Sequence, residues 1–377
     1  MSKMKIAIFG ASGFVGSTLV ERLYFEKKYD FVPIIHSYGN AARLARFPIS
    51  LKQVDVLNAD AVKEALQGCG AVVNCIKAGA GPMIKGLKNI FEGCKANKVQ
   101  KYIHLSSLAI YGDDPAPDSV TEAGQPNPGN NAYAAMKLRQ DEMVFKFHNE
   151  GTPSIILCPS NIAGPYSPFV FGATKKLLDN KIVLVDEGQY PTNMVHVENL
   201  VEAIICALEA EKGWGERYFI NEPEPMSWKE FYTRLSGLLG LEVEFRSFSR
   251  EEVLQALSKH QKKSGSGELL KTLVSGEFRN ALSVIPVIDK LNRFAYRTLQ
   301  SLDPQIQKKL RQKLEKPIII REMREKVDLS DQFVRVQVRR FFHSPEKIQN
   351  MLGYRPKFNT DELWEHYKEW LKFANLA

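Results

Sequence analysis

The chain has 377 residues, 44% hydrophobic and 25% charged, with a formal net charge of +8. That composition excludes a disordered or low-complexity chain, and the length fits one large α/β unit with a smaller lobe better than a single small domain. The five cysteines (Cys69, Cys75, Cys94, Cys158, Cys206) show no C-x-x-C pair and no His/Cys metal spacing, so they read as reduced thiols of a cytoplasmic protein without a metal site.

The first elements alternate. "KIAIFG" is a buried-strand run that ends in glycine, and "FVGSTLVERLYF" has helical periodicity. "FVPIIHS" reads as a second strand, with Pro33 marking an irregular start or an edge. "QVDV" is a short strand and "DAVKEALQG" a helix. The strand "AVVNCI", the helix "PMIKGLKNIFEGCKANK" and the strand "KYIHLSS" follow. "AYAAMKLRQDEM" is helical and "PSIILCPS" is another strand. This rhythm predicts βαβ units and a Rossmann-like, doubly wound parallel sheet. The expected dinucleotide-binding domain is 1–160, with segments near 190–210 returning to it. Residues 161–377 form the expected C-terminal substrate lobe, built over the carboxyl ends of the strands.

Within that lobe, 249–340 reads as a basic helical insert. Its stretch "RNALSVIPVIDKLNRFAYRTLQSL" is amphipathic, with Lys and Arg between the apolar positions. Such a helix either caps the lobe or an oligomer interface, or lies on an anionic membrane. Burial against protein is the commoner case. No apolar run reaches the about 20 residues of a spanning helix, and no secretory signal pattern opens the chain. No nucleic-acid recognition module is visible, so the basic excess does not by itself imply nucleic acid. "SPEKIQNMLGY" and "NTDELWEHYKEWLKFA" are expected helices, with Ser344 and Asn359 as caps.

"FGASGFVG" places Gly10, Gly13 and Gly16 between the first strand and the first helix, with Ser12, Phe14 and Val15 among them. Gly10 allows a tight turn, Gly13 a close approach to a pyrophosphate, and Gly16 close packing of helix on sheet. The spacing is G-x-x-G-x-x-G, whereas the dinucleotide fingerprint is G-x-G-x-x-G. An acid at the end of the second strand would bind the 2′-hydroxyl of NAD. Here that strand ends in His36 and Ser37, and Arg43 and Arg46 follow. This favours NADP over NAD, unless the arginines only solvate a helix face. Asp55, with Val56 beside it, is placed to accept from an adenine amine.

Tyr133 and Lys137 stand four apart on a helical segment, hence on one face. Alone, such a pair is usually a coincidence. It gains weight from "HLSSLAIYG", which ends the fifth strand with Ser106 and Ser107, and from "LCPSNIAGP", which ends the sixth. Together with the glycine turn, these motifs resemble the extended short-chain dehydrogenase/reductase superfamily, in its NAD(P)-dependent epimerase/dehydratase branch. "PTNMVHVENLVEAI", "GERYFINEPEPMSWKEF" and "SPEKIQNMLGYRPKFNTDELW" resemble later segments of that family. The likeness covers Met4 to about Glu244 and the tail from about Ser344.

The resemblance implies Tyr133 as general acid/base, Lys137 as its lysine and Ser107 as its serine. Opposite charge from Lys137 would favour the phenolate. Lys137 would also hold the nicotinamide ribose, and Ser107 the substrate oxygen. Pro159 and Asn161 are implied at the cofactor, and Asn161 and His196 at the substrate. Lys77 stands where the family usually has a small or apolar residue, and reaches either the cleft or solvent. Thr192, Asn193 and Met194 replace the family's R-D-F/W, which argues against a nucleotide sugar. The expected function is an NAD(P)-dependent oxidoreductase acting on a small hydroxyl or keto substrate. The alternatives are a sugar or nucleotide-sugar epimerase/dehydratase with retained cofactor, and a non-catalytic dinucleotide-binding scaffold. A homodimer and peripheral membrane contact through the insert complete the expectations.

Overall fold

The structure is a computed structural model that describes residues 3–264 and 328–374. Seven parallel strands form the main sheet: β1 (Lys5–Phe9), β2 (Asp30–Ile35), β3 (Lys52–Gln53), β4 (Ala71–Asn74), β5 (Lys101–Leu105), β6 (Ser154–Pro159) and β10 (Arg217–Ile220). Their order is β10-β6-β5-β4-β1-β2-β3. The order reverses direction between β1 and β4, which creates the crevice where ligands of such sheets bind.

The strands are near-continuous apolar runs because both faces are covered. Side chains alternate between two cores. Ile6, Ile8, Val73, Ile103 and Leu157 join the core beneath α1 (Phe14–Glu26) and α6 (Val197–Glu209). Ala7, Phe9, Val72, Tyr102 and Cys158 join the opposite core, under α2 (Ala59–Ala65), α3 (Leu87–Ala96) and α4 (Ala132–Asn149).

Pro33 lies inside β2, buried and in register with Ile8, and β2 runs between β1 and β3. Backbone direction explains the tolerance. Ile34 O accepts from Ala11 N on one side and Ile35 O from Val54 N on the other. Pro33 therefore faces the β3 side, where pairing begins only at Ile34. The missing N–H costs no ladder bond there.

The return to the sheet extends beyond 190–210. β9 (Met194–His196) and α6 fall in that stretch, and β10 adds an edge strand alongside β6. Helix α9 (Glu346–Leu352) packs against β10 and α6. A smaller core joins α5 (Pro168–Leu178), α7 (Trp228–Leu238) and α10 (Thr360–Phe373) through Val170, Phe231, Tyr367 and Leu371. The short strands β7 (Asn161–Ala163) and β9 pair, as do β8 (Val183–Val185) and β11 (Arg246–Phe248).

Packing divides the chain into Met1–Val253 with Gln332–Ala377, and Leu254–Asp331. Helix α8 (Arg250–Ser264) leads into the second unit. The amphipathic stretch at 279–302 and the basic runs after it, up to 327, lie outside the described residues. Among the described residues no helix is long and apolar enough to cross a membrane.

Candidate active site

The glycine turn sits at the switch point. Gly10 has φ +76°, and a side chain there would meet the Cys75 carbonyl at 3.0 Å. Glycine therefore lets the exits of β1 and β4 lie together. A Cβ on Gly16 would stand 2.2 Å from Gly10 O, so α1 can start this close to the sheet only with glycine at that position. Gly13 donates to Gly10 O at 3.0 Å and caps α1 without a side-chain acceptor, and the first turn carries no acid. Its amide groups and positive dipole end suit a pyrophosphate. Ser12 lies in this turn, Phe14 and Val15 open the helix, and Val15 packs into the core. The cradle fits a dinucleotide.

The end of β2 differs from the sequence expectation. His36 is exposed, and its carbonyl accepts from Gln53 Nε2. Ser37 caps a short 3₁₀ turn, Tyr38–Asn40. Arg43 lies against the first turns of α1. It donates to Phe14 O and Thr18 Oγ1, both at 3.3 Å, and its guanidinium lies 4.4 Å from the Tyr166 ring. Arg46 pairs with Glu21 at 2.5 Å. Both cations are engaged along α1, and this arrangement adds no support to the expected preference for NADP. Asp55 is exposed and its carboxylate accepts from Leu57 N, while Val56 packs at Gly86 on the approach to α3.

Tyr133 and Lys137 lie in the first two turns of α4, which Asn131 caps by accepting from Ala134 N at 3.2 Å. Ser107 follows β5, and its Oγ accepts from Ala109 N at 3.1 Å. That contact uses a lone pair and leaves the O–H free. Ser107 is close enough to the Tyr133 phenol to act on it. Burial pushes the phenol up to about 12, and Ser107 pulls the other way. Lys137 is buried and donates to Leu105 O at 2.7 Å. Burial pushes its ammonium down to about 8, opposed mainly by Asp141, and Cys75 beside the glycine turn also acts on it. Lys137 is not among the groups that act on the phenol, so the expected lowering by its charge does not arise here. The cation over the Tyr133 ring is Lys77, 5.4 Å from its centroid.

Asp141 is a contributor that the sequence reading missed. It stands one further turn along the Tyr133–Lys137 face and binds Arg217 Nη2 at 3.0 Å. The i+4 spacing from Lys137 was its only local signal. Pro159 ends β6 buried. Asn161 donates to Thr192 O at 3.1 Å and joins β7 to β9. His196 caps α6 and lines a cavity that contains neither Ser107 nor Tyr133. His196 is thus not gathered with Ser107, although Asn161 lies on β7, which pairs with the β9 strand that carries His196.

The family model for the NAD-dependent epimerase/dehydratase family matches residues 6–220, from β1 through β10. The chain belongs to that family. Among relatives, a 2-alkyl-3-oxoalkanoate reductase of Shewanella oneidensis is 26% identical over 264 residues, 62% of this chain and 66% of that protein. A 4-hydroxy-2-methyl-3-oxo-4-farnesyl-3,4-dihydroquinoline-1-oxide ketoreductase of Stigmatella aurantiaca is 22% identical over 253 residues, 64% of this chain and 75% of that protein. A UDP-glucuronic acid 4-epimerase from Bacillus cereus, solved with UDP-glucuronic acid and NAD, superposes with a TM-score of 0.65 at 18% identity, covering 98% of this chain and 100% of that one. At that identity the likeness is one of fold.

Proposed function

We propose that the chain is an NAD(P)-dependent oxidoreductase that interconverts a hydroxyl and a keto group on a small molecule. The reading rests on one juxtaposition: Ser107, after the carboxyl end of β5, and Tyr133, on α4 with Lys137 anchored on Leu105 O, meet closely enough for Ser107 to act on the phenol, in a sheet whose first turn suits a pyrophosphate. Bound nicotinamide would supply or take the hydride. Ser107 would turn its O–H to the substrate oxygen, and Tyr133 gives or takes the proton on that oxygen. Lys137, anchored on Leu105 O, keeps further N–H donors for a ribose.

A keto or hydroxyl substrate is favoured over a nucleotide sugar. The sequence relatives named above act on keto compounds, and position 193 has a structural task in this chain. Asn193 donates to Phe341 O, and its Oδ1 accepts from Asn221 Nδ2 and His343 N. The engagement of Arg43 and Arg46 along α1 supports NAD at least as well as NADP. The test follows absorbance at 340 nm with NADH and NADPH in turn, over a panel of apolar ketones and 3-oxoacids. Net cofactor oxidation is expected. No net change on that panel, with epimers appearing when UDP-sugars are supplied, would establish the retained-cofactor alternative.

A further inference from the structure

Lys77 follows shortly after β4, on a segment fixed at both ends. At one end, Cys75 N donates to Phe9 O at 2.9 Å and Ile76 N to Asn74 Oδ1 at 3.1 Å. Asn74 is buried and donates in turn to the Tyr102 hydroxyl at 3.0 Å. The Cys75 backbone also lies against Gly10 of the glycine turn. At the other end the chain enters a short π-helix, Gly81–Gly86, and Gln140 of α4 donates to Met83 O at 2.6 Å. Residues 77–81 between these anchors are exposed, and a Cβ on Gly79 would meet nothing within 4 Å. The segment is thus held to β1, β4 and α4, with open space beside it.

The Lys77 side chain turns into the cleft. Its Nζ lies 5.4 Å from the centroid of the Tyr133 ring, and its charge is felt at Lys137. Among the described residues Lys77 has no ion pair and no hydrogen bond. A cation over a partly exposed ring is weakly held, so the ammonium is free to exchange that face for an anion. The neighbouring charges do not neutralise it. Lys137 is a second cation, and Asp141, the carboxylate that acts on both Lys137 and Tyr133, binds Arg217 at 3.0 Å. The end of the cleft at Tyr133 therefore carries an excess of positive charge, which attracts an anion. The pyrophosphate of a dinucleotide has the amide groups and the positive end of α1 for that purpose.

We propose that Lys77 is a specificity-determining residue that receives the carboxylate of an acidic substrate, so that the keto compound taken by this chain is a 2- or 3-oxoacid. The inference rests on the oxidoreductase reading, which puts the reacting carbon at Tyr133. Because Nζ stands over the phenol ring itself, the carboxylate has to lie close to that carbon. The ammonium leaves the ring face for a charge-assisted hydrogen bond. The carboxylate so held directs the keto oxygen toward Ser107 and Tyr133. An ester or a plain ketone offers no charge to Lys77.

The test is calorimetric titration of the full chain, saturated with NADH, at pH 7, where the carboxylate is ionised. The probes are 3-hydroxybutanoate and 3-hydroxyoctanoate, each beside its methyl ester. Cofactor and probe are both in the reduced form, so nothing turns over. This readout is therefore separate from the assay at 340 nm, which tests the oxidoreductase reading. At least one acid should bind about tenfold or more tightly than its ester. Lys77→Met should bring that acid to the level of the ester, and Lys77→Arg should keep the preference. Lys77 is exposed, so neither change disturbs the core. Neither acid binding saturably, equal binding of acid and ester, or an acid preference that survives in Lys77→Met overturns the assignment. So does a fall in NADH affinity that accounts for the loss, which would place Lys77 at the cofactor.

Discussion

Asp141 is fully buried one turn beyond Lys137, and Arg217 Nε and Nη2 lie 3.1 and 3.0 Å from one of its carboxylate oxygens. Burial raises this carboxyl to about 6, against an ordinary 3.8, and Arg217 is the main opposing influence. The native state therefore binds more protons than the unfolded state between those values. The contribution of the group to stability falls as pH rises through about 6. Arg217→Met would strand a buried carboxylate at high pH. We expect a loss of about 3–5 kcal/mol at pH 8 in urea denaturation, shrinking clearly at pH 5 where Asp141 is protonated. A loss that is equal at both pH values would contradict this account. Tyr133 and Lys137 were legible because their spacing is local and their motif order is distinctive. The Asp141–Arg217 pair was not, since its partners come from α4 and the distant strand β10. The surroundings of Arg43 were hidden for a related reason: sequence shows its charge but not the Phe14 carbonyl and the Tyr166 ring beside it.

Among the elements, buried parallel strands announce themselves as apolar runs, and β1, β2, β4, β5 and β6 lie where those runs predict. β3 shrinks to Lys52–Gln53, since only Ile34 and Ile35 of β2 pair with it. The Asn359 cap was legible and forms a complete capping box with Glu362. Ser344 is displaced by one position: its Oγ accepts from Glu346 N, while Pro345 holds the cap position of α9. The glycine turn makes the sharpest prediction at this scale. In Gly16→Ala the new methyl would collide with Gly10 O and with Ala11 Cα at 2.9 Å. Both neighbours are backbone and cannot rotate away, so α1 must shift. We expect a stability loss of about 1–3 kcal/mol in thermal unfolding and weaker NADH binding by fluorescence titration. An unchanged variant would mean that α1 does not need this close approach.

At the scale of the molecule, α/β alternation and the carboxyl-end placement of Ser107 follow from sequence, because each strand and helix is a local pattern. The cavity beside His196 does not, because its wall is assembled from β7, β9, the connection after β10, α7 and α10. No spacing in the chain links those stretches. The central claim is that one phenol, carried on α4 beside the Ser107 hydroxyl, moves the proton of the reaction. Tyr133→Phe removes only that oxygen. With a ketone that the wild-type chain reduces, turnover at 340 nm should fall by about 100-fold or more, while NADH binding and thermal unfolding stay as in the wild type. Turnover at the wild-type rate in Tyr133→Phe would contradict the account.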